Sequence, residues 1–408
     1  MNTRVWIVGV GMTTFGVHED KTHYDLARWA VRDALDDAGA ATDAIDVAFY
    51  GTNTHGRLEG QDTISGQVAL RDLATEAIPV HNIHNACATG ASALNLAVGQ
   101  VLAGQASVAL AVGAEKMHVG DPERTLSVFA TGYDVSDPDA LTRTLLELGG
   151  EVDDSDLGRR SIFMDIYAAT ARNHMRVYGT TDKQIAAVAV KNHDHAVDNP
   201  RAHYRKAMSV EQVLGARKLS YPLTVPMCAP ITDGAAAVLV CSDEGLRRLG
   251  SQRPVRVLAS VVGTGVDRDI TSYDDHITRN VSARAYERAG IGPQDVDVAE
   301  VHDATAFAEV MQTELLGLVP MGEGGASAER GDTRLGGRIP VNPSGGLESK
   351  GHPIGATGLG QIFELTEQLR GAAGSRQVPG ARIALAENGG GFHRGEEAVM
   401  AVTILGND

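Results

Sequence analysis

Cysteine is scarce: Cys87, Cys228 and Cys241 are the only three in 408 residues. An odd set without a Cys-x-x-Cys pair excludes a disulfide framework, shows no metal-ligand spacing, and makes a reducing compartment the simplest setting. Basic residues are also short, 36 against 52 acidic ones, for a net charge of −16. That excludes a nucleic-acid partner, which needs a basic face, though not a small anionic ligand held by local cations. No apolar run approaches the ~18 residues of a membrane span. The opening Met1-Asn2-Thr3-Arg4-Val5-Trp6 enters a strand-like run without leader features, so the expectation is a cytoplasmic protein. Aromatics are 4% while glycine reaches 47, which favours close backbone packing over ring stacking.

What is present begins with Asn85-Ala86-Cys87-Ala88-Thr89-Gly90. Downstream, Leu94, Ala97, Val98, Val101 and Leu102 fall on one helical face, so Cys87 lies where a helix starts. Free N–H groups and the helix dipole there favour a thiolate, and the ordinary alternative is a small buried cysteine. Gly9-Val10-Gly11 looks like part of a dinucleotide fingerprint, but Thr14 stands where its last glycine belongs, and the reading is rejected.

The two halves of the chain echo each other. Ala34 to Gly51 aligns without gaps to Ala285 to His302, Ala88-Thr89-Gly90 recurs as Ala356-Thr357-Gly358, and Ala106 to Ala111 recurs as Ala381 to Ala386. Matches that keep chain order mark a duplication, and each copy alternates helices with all-apolar strands, the pattern of a sheet covered on both faces. The expected organisation is a first half at 1–117 and 221–253, an inserted segment at 118–220, and a second half at 254–408. The insertion carries acidic residues (Asp134, Asp137, Asp139, Glu151, Asp153, Asp154, Asp156), two helices, Ile162 to Tyr178 and Asp182 to Asp198, and cations from Arg159 to Lys218 that could hold phosphates or simply face solvent.

Two histidines stand in functional positions. His302-Asp303 follows the strand Val296 to Val301, at the edge where α/β proteins gather ligands, and His352 lies in the glycine-rich loop Asn342 to Gly355. By the echo, that loop is the counterpart of the segment bearing Cys87, so a pseudo-twofold axis would bring His352 toward the sulfur. Glu387-Asn388-Gly389-Gly390-Gly391-Phe392-His393 follows the strand Ile383 to Ala386, and its glycines let backbone N–H groups approach an oxyanion, or merely form a tight turn.

Together Asn85 to Gly90, Val301-His302-Asp303, the Gly351-His352-Pro353 loop and the final glycine run resemble the thiolase superfamily, of the sterol-carrier-protein-X type, over essentially the whole chain. The resemblance implies a duplicated α/β fold in five layers, α-β-α-β-α, with an inserted loop domain. It implies an acyltransferase acting on coenzyme A thioesters, with no tightly bound cofactor, no metal, and coenzyme A as substrate or product. Cys87 would carry the acyl group and His352 take its proton. His302 would serve one oxyanion site, and the N–H groups of Cys87 and Gly389 another.

One departure stands out. The second cysteine by which such enzymes move a proton on carbon is absent, its two usual positions being Ala304 and Glu387. Glu387 or His393 is the expected substitute. The competing readings are a retro-aldol lyase acting on a CoA-linked side chain, whose thiolase-like relatives replace these histidines by tyrosines, and a weakly active partner subunit. By the same resemblance a homodimer is expected, and a small zinc-ribbon/OB-fold partner that presents the acyl-CoA is a further possibility.

Overall fold

The computed structural model describes residues 3–73, 77–149 and 160–407. The acidic run from Glu151 to Asp156 and Arg159 lie outside the described residues. Eleven strands are assigned among the described residues: β1 (Val5–Met12), β2 (Val47–Gly51), β3 (Val80–Ile83), β4 (Val108–Glu115), β5 (Lys218–Ser220), β6 (Leu223–Thr224), β7 (Gly234–Ser242), β8 (Val255–Gly263), β9 (Val298–Glu300), β10 (Ile383–Gly390) and β11 (Val399–Gly406). Nine of them form one sheet in the order β3-β2-β4-β7-β1-β8-β11-β10-β9, while β5 and β6 pair separately.

The order is palindromic in its connections. From the centre outward, one half runs β1-β7-β4-β2-β3 and the other β8-β11-β10-β9, with a parallel bridge from Ala299 to Val341 continuing the series. In both halves the inner pairings are antiparallel and the outer ones parallel, and β1 meets β8 antiparallel at Val5↔Val257. This is the duplication written in the echo, realised as two copies of one topology.

The helices Thr89–Leu102 and Thr357–Leu369 pack on each other and on strands of both halves. The sheet therefore wraps a central helix pair. The helices His23–Ala38 and Ile277–Ala289 cover its outer faces, completing the five layers. Each of these two outer helices ends on a glycine in the left-handed region, Gly39 (φ +62°) and Gly290 (φ +71°), the residues matched in the echo. The central helices cross tightly. A Cβ on Gly90 would fall 2.8 Å from the Gly355 carbonyl oxygen, and one on Gly358 would fall 2.7 Å from the Ala91 nitrogen. Gly358→Val is expected to cost about 1–3 kcal/mol by overpacking, read as a lowered urea midpoint, and an unchanged midpoint would show that the crossing is loose.

Some boundaries differ from expectation. Leu102 is 53% exposed although it shares the periodicity of the buried Leu94, Ala97, Val98 and Val101, because the helix ends there. The strand carrying His302 is shorter, Val298–Glu300, since the Asn342 side chain captures the Val301 N–H. The strand Ile383–Gly390 runs beyond Ala386 through two of the glycines, because β11 pairs with it in unbroken register to Gly390↔Val399.

Between β4 and β7 the helices Ile162–Tyr178 and Asp182–Ala196 join Ala306, Phe307 and Met311 of the second half in a separate apolar cluster. Lys191, one of the cations considered for phosphate, is instead wholly buried. Its ammonium sits 2.9 Å from Glu309 and donates to the Val341 carbonyl. Beside it Asn192 donates to Asp303 (3.0 Å) and Glu348 (2.9 Å), which ties this segment to both histidine loops. No described helix is long and apolar enough to cross a membrane.

Candidate active site

Cys87 sits in a turn preceding the central helix, with Ala86 at φ +47°, in the left-handed region that a residue with a Cβ enters only when its surroundings over-determine it. Thr89 fixes that turn: its hydroxyl accepts from the Asn85 N–H (2.7 Å) and donates to the Ala86 carbonyl (2.6 Å). The matching Thr357 does the same for the other half. Its hydroxyl donates to the Pro353 carbonyl at 3.0 Å, so the 2.6 Å contact with His352 Nδ1 is an N–H donated by the ring. His352 Nε2 is then left with a lone pair.

His302 is held in the opposite tautomer. The parallel register Ala386↔Glu300, continued by two residues, sets His302 beside Asn388, whose amide donates to His302 Nδ1 at 2.9 Å. Nε2 of His302 therefore carries the hydrogen. The two rings meet edge to face, 5.1 Å between centroids, and one ligand atom each from Cys87, His302 and His352 lie within 4.8 Å of one another. One side of the sulfur faces an acceptor and another a donor.

Burial decides the protonation states. Desolvation lowers His302 to about 3 and takes His352 well below the usual imidazole value, a fall to which His302 adds, so both rings are neutral at pH 7. The same effect pushes the Cys87 thiol up to about 12. The Gly391 N–H, aimed at the sulfur, opposes that rise, and the Glu115 carboxyl adds to it. The helix-start effect expected to give a thiolate is thus outweighed, and the resting group is a thiol beside a neutral imidazole. Alkylation of Cys87 by iodoacetamide without substrate is expected to be slower at pH 8 than that of a free thiol and to keep rising above pH 10. A plateau below pH 8 would mean a resting thiolate–imidazolium pair.

The expected site residues are not all brought together. Cys87, His302 and His352 line one cavity of about 190 Å³ with Ala304, Gly390, Gly391 and a mostly apolar wall that includes Phe129, Phe163, Met164 and Tyr167. Gly389 is absent from that wall, being paired with Met400 inside the sheet. Gly391 supplies the N–H near the sulfur, and this corrects the assignment of that donor to Gly389. Gly390 has the close approach, since a Cβ there would fall 2.8 Å from the Cys87 nitrogen. His393 is exposed on the turn beyond and does not line the cavity. Its expected acid/base role is corrected because the strand carries the chain past the sulfur before the histidine is reached. Glu387 is fully buried, with one oxygen accepting the His302 backbone N–H at 2.8 Å and the other without a partner among the described residues. Desolvation raises it well above the carboxylate range, with Glu397 and Asp303 adding to the rise, and it too lies behind the cavity wall.

Thr357, Asn388 and Gly391 make contacts at the site that the sequence did not suggest. The echo could have exposed Thr357, because Thr89 and Thr357 are matched in it. The Cys87–His302–His352 trio has the donors of a metal site. With Asn388 donating to Nδ1 of His302, however, the protonated Nε2 has no lone pair to offer an ion. In the other such group, His23, His55 and Glu59, the two rings stack nearly parallel, 3.9 Å apart at 14°, so their lone pairs do not converge.

Family models for the thiolase N-terminal domain and the thiolase C-terminal domain-like region match residues 5–216 and 266–406. The chain belongs to the thiolase family. It is 38% identical over 392 residues to the acetyl-CoA acetyltransferase of Methanothermobacter thermautotrophicus, covering 95% of this chain and 96% of that one. It is 36% identical over 414 residues to sterol carrier protein 2 of Oryctolagus cuniculus, covering 99% of this chain and 72% of that one. Among solved structures the Ltp2-ChsH2(DUF35) aldolase superposes with a TM-score of 0.80 at 24% identity, covering 99% of this chain and 98% of that one, a likeness of fold. As a thiolase the protein is an acyltransferase enzyme.

Proposed function

We infer that the enzyme makes or cleaves a β-ketoacyl-CoA thioester through an acyl group carried on Cys87. The observation that carries this reading is two buried imidazoles set around one thiol, each with an Nδ1 hydrogen bond that assigns it the opposite tautomer to the other. His352 Nε2 takes the thiol proton as sulfur attacks the carbonyl carbon, so no free thiolate need form beforehand. Charge developing on the carbonyl oxygen meets donors already oriented: Nε2–H of His302 at one oxyanion site, and the N–H groups of Cys87 and Gly391 at another. Coenzyme A is substrate or product and no tightly bound cofactor is invoked. The exposed edge strand β3 offers unpaired backbone for the proposed homodimer. A small partner of zinc-ribbon/OB-fold type that presents the acyl-CoA is proposed by family likeness.

Intact-mass analysis after mixing with a panel of acyl-CoAs tests the reading. A gain equal to the acyl group, reversed by free coenzyme A, is expected, and the chain that labels best names the substrate. Release of a carbonyl fragment from a CoA-linked side chain with no adduct at any time would instead favour the retro-aldol lyase. In this chain the retention of His302 and His352 speaks against that lyase.

A further inference from the structure

Cleaving or forming a carbon–carbon bond needs a proton carrier at the carbon, besides the base for the thiol and the donor for the oxyanion. His352 and His302 are committed to those two tasks, and the positions where relatives keep a cysteine are Ala304 and the walled-off Glu387. The other groups on the cavity wall that can give a proton are few. Arg160 is locked to Asp165 at 3.0 Å. The Ser161 hydroxyl caps the helix by accepting the Phe163 N–H, and burial pushes the Cys228 thiol up, with Glu348 adding to the rise. Tyr167 projects from the helix Ile162–Tyr178, lines the same cavity as Cys87, both histidines and Ala304, and is 8% exposed. Among the described residues no side chain or carbonyl takes its hydroxyl, and that oxygen is not one of the sealed, unsatisfied ones, so it opens on the cavity. A phenol O–H open to the cavity is free to serve whatever enters it.

Resting on the covalent reading above, we propose that Tyr167 is the catalytic acid/base of the carbon–carbon half-reaction, taking the place of the missing cysteine. In the cleavage direction Cys87 sulfur bonds to the β-carbonyl carbon and its proton passes to His352 Nε2. The Cα–Cβ bond then breaks with its electron pair left on Cα. The Tyr167 O–H gives its proton to Cα, and the phenolate recovers one from the His352 imidazolium. The thiol proton thus ends on carbon, the departing acyl-CoA is neutral at Cα, and both side chains return to their starting states. Coenzyme A thiol then attacks the Cys87 thioester, its proton passing to His352 and on to the leaving sulfur. Condensation is the same sequence reversed. Burial, with Glu397, Cys87, Glu387 and Asp303 around it, keeps the phenol protonated at rest, as an acid must be.

Tyr167→Phe keeps the ring in its apolar cluster and removes only the hydroxyl. Two assays separate the half-reactions. Exchange of label between coenzyme A and acetyl-CoA, or whichever panel member labels Cys87, passes through the acyl-enzyme and never touches carbon. Thiolysis of the corresponding β-ketoacyl-CoA, and deuterium uptake from heavy water at the acyl α-carbon, both do. The variant is expected to keep exchange within about threefold while both carbon assays fall about 100-fold or more. Carbon assays within threefold of wild type would overturn the proposal, as would exchange and carbon assays falling together, or a selective carbon loss in Cys228→Ala or Glu387→Gln without one in Tyr167→Phe. A wild-type protein that takes up no acyl group would instead overturn the covalent reading itself.

Discussion

Cys87→Ala is expected to take up no acyl group from any acyl-CoA and to lose turnover by about 10⁴- to 10⁶-fold. The size follows from what stays behind. His302 and His352 keep their partners Asn388 and Thr357, and the Gly391 N–H keeps its place, so polarisation of a carbonyl survives. Nothing remains to form the covalent bond that divides the transfer into two easier steps. Alanine is smaller than cysteine and fits the turn that Thr89 fixes, so folding serves as the control. Turnover within tenfold of wild type, or an acyl adduct that persists on another residue, would remove Cys87 from the mechanism.

His352→Ala is expected to lower Cys87 acylation about 10³-fold at pH 8. A thiol held near 12 is ionised only to about one part in 10⁴ at that pH, and without the imidazole no group in contact takes its proton during attack. The pH dependence supplies the second readout. In wild type the rate should be flat from about pH 7 to 9, because both imidazoles are already neutral there and the thiol needs no prior ionisation. In the variant the rate should climb nearly tenfold per pH unit, following the thiolate. A variant that lost activity but kept the flat profile would show that His352 acts on structure and not on the thiol proton.

Much of this site was legible in the chain itself. Cys87, His302 and His352 announced themselves because each lies in a short run whose composition has no plain structural use, and the ordered echo predicted that two matched helix starts would meet. What could not be read were groups whose value depends on register and depth. Asn388 is one: only the pairing of β10 with β9 sets it opposite His302. Gly389 and Gly391 differ by two positions in a run of identical residues, and only the extension of β10 to Gly390 decides which N–H reaches the sulfur. His393 looked as good as any histidine until the turn carried it outward.

By itself the sequence determined the duplicated topology, the α/β class, and the three residues that the fold gathers at one cavity, because local pattern and self-similarity are properties of neighbours along the chain. Tertiary structure alone decided their chemical state. Desolvation, strand register and hydrogen bonds from residues far away in sequence made the sulfur a thiol, one imidazole an acceptor and the other a donor, since protonation answers to the surroundings in space and not to the order of residues.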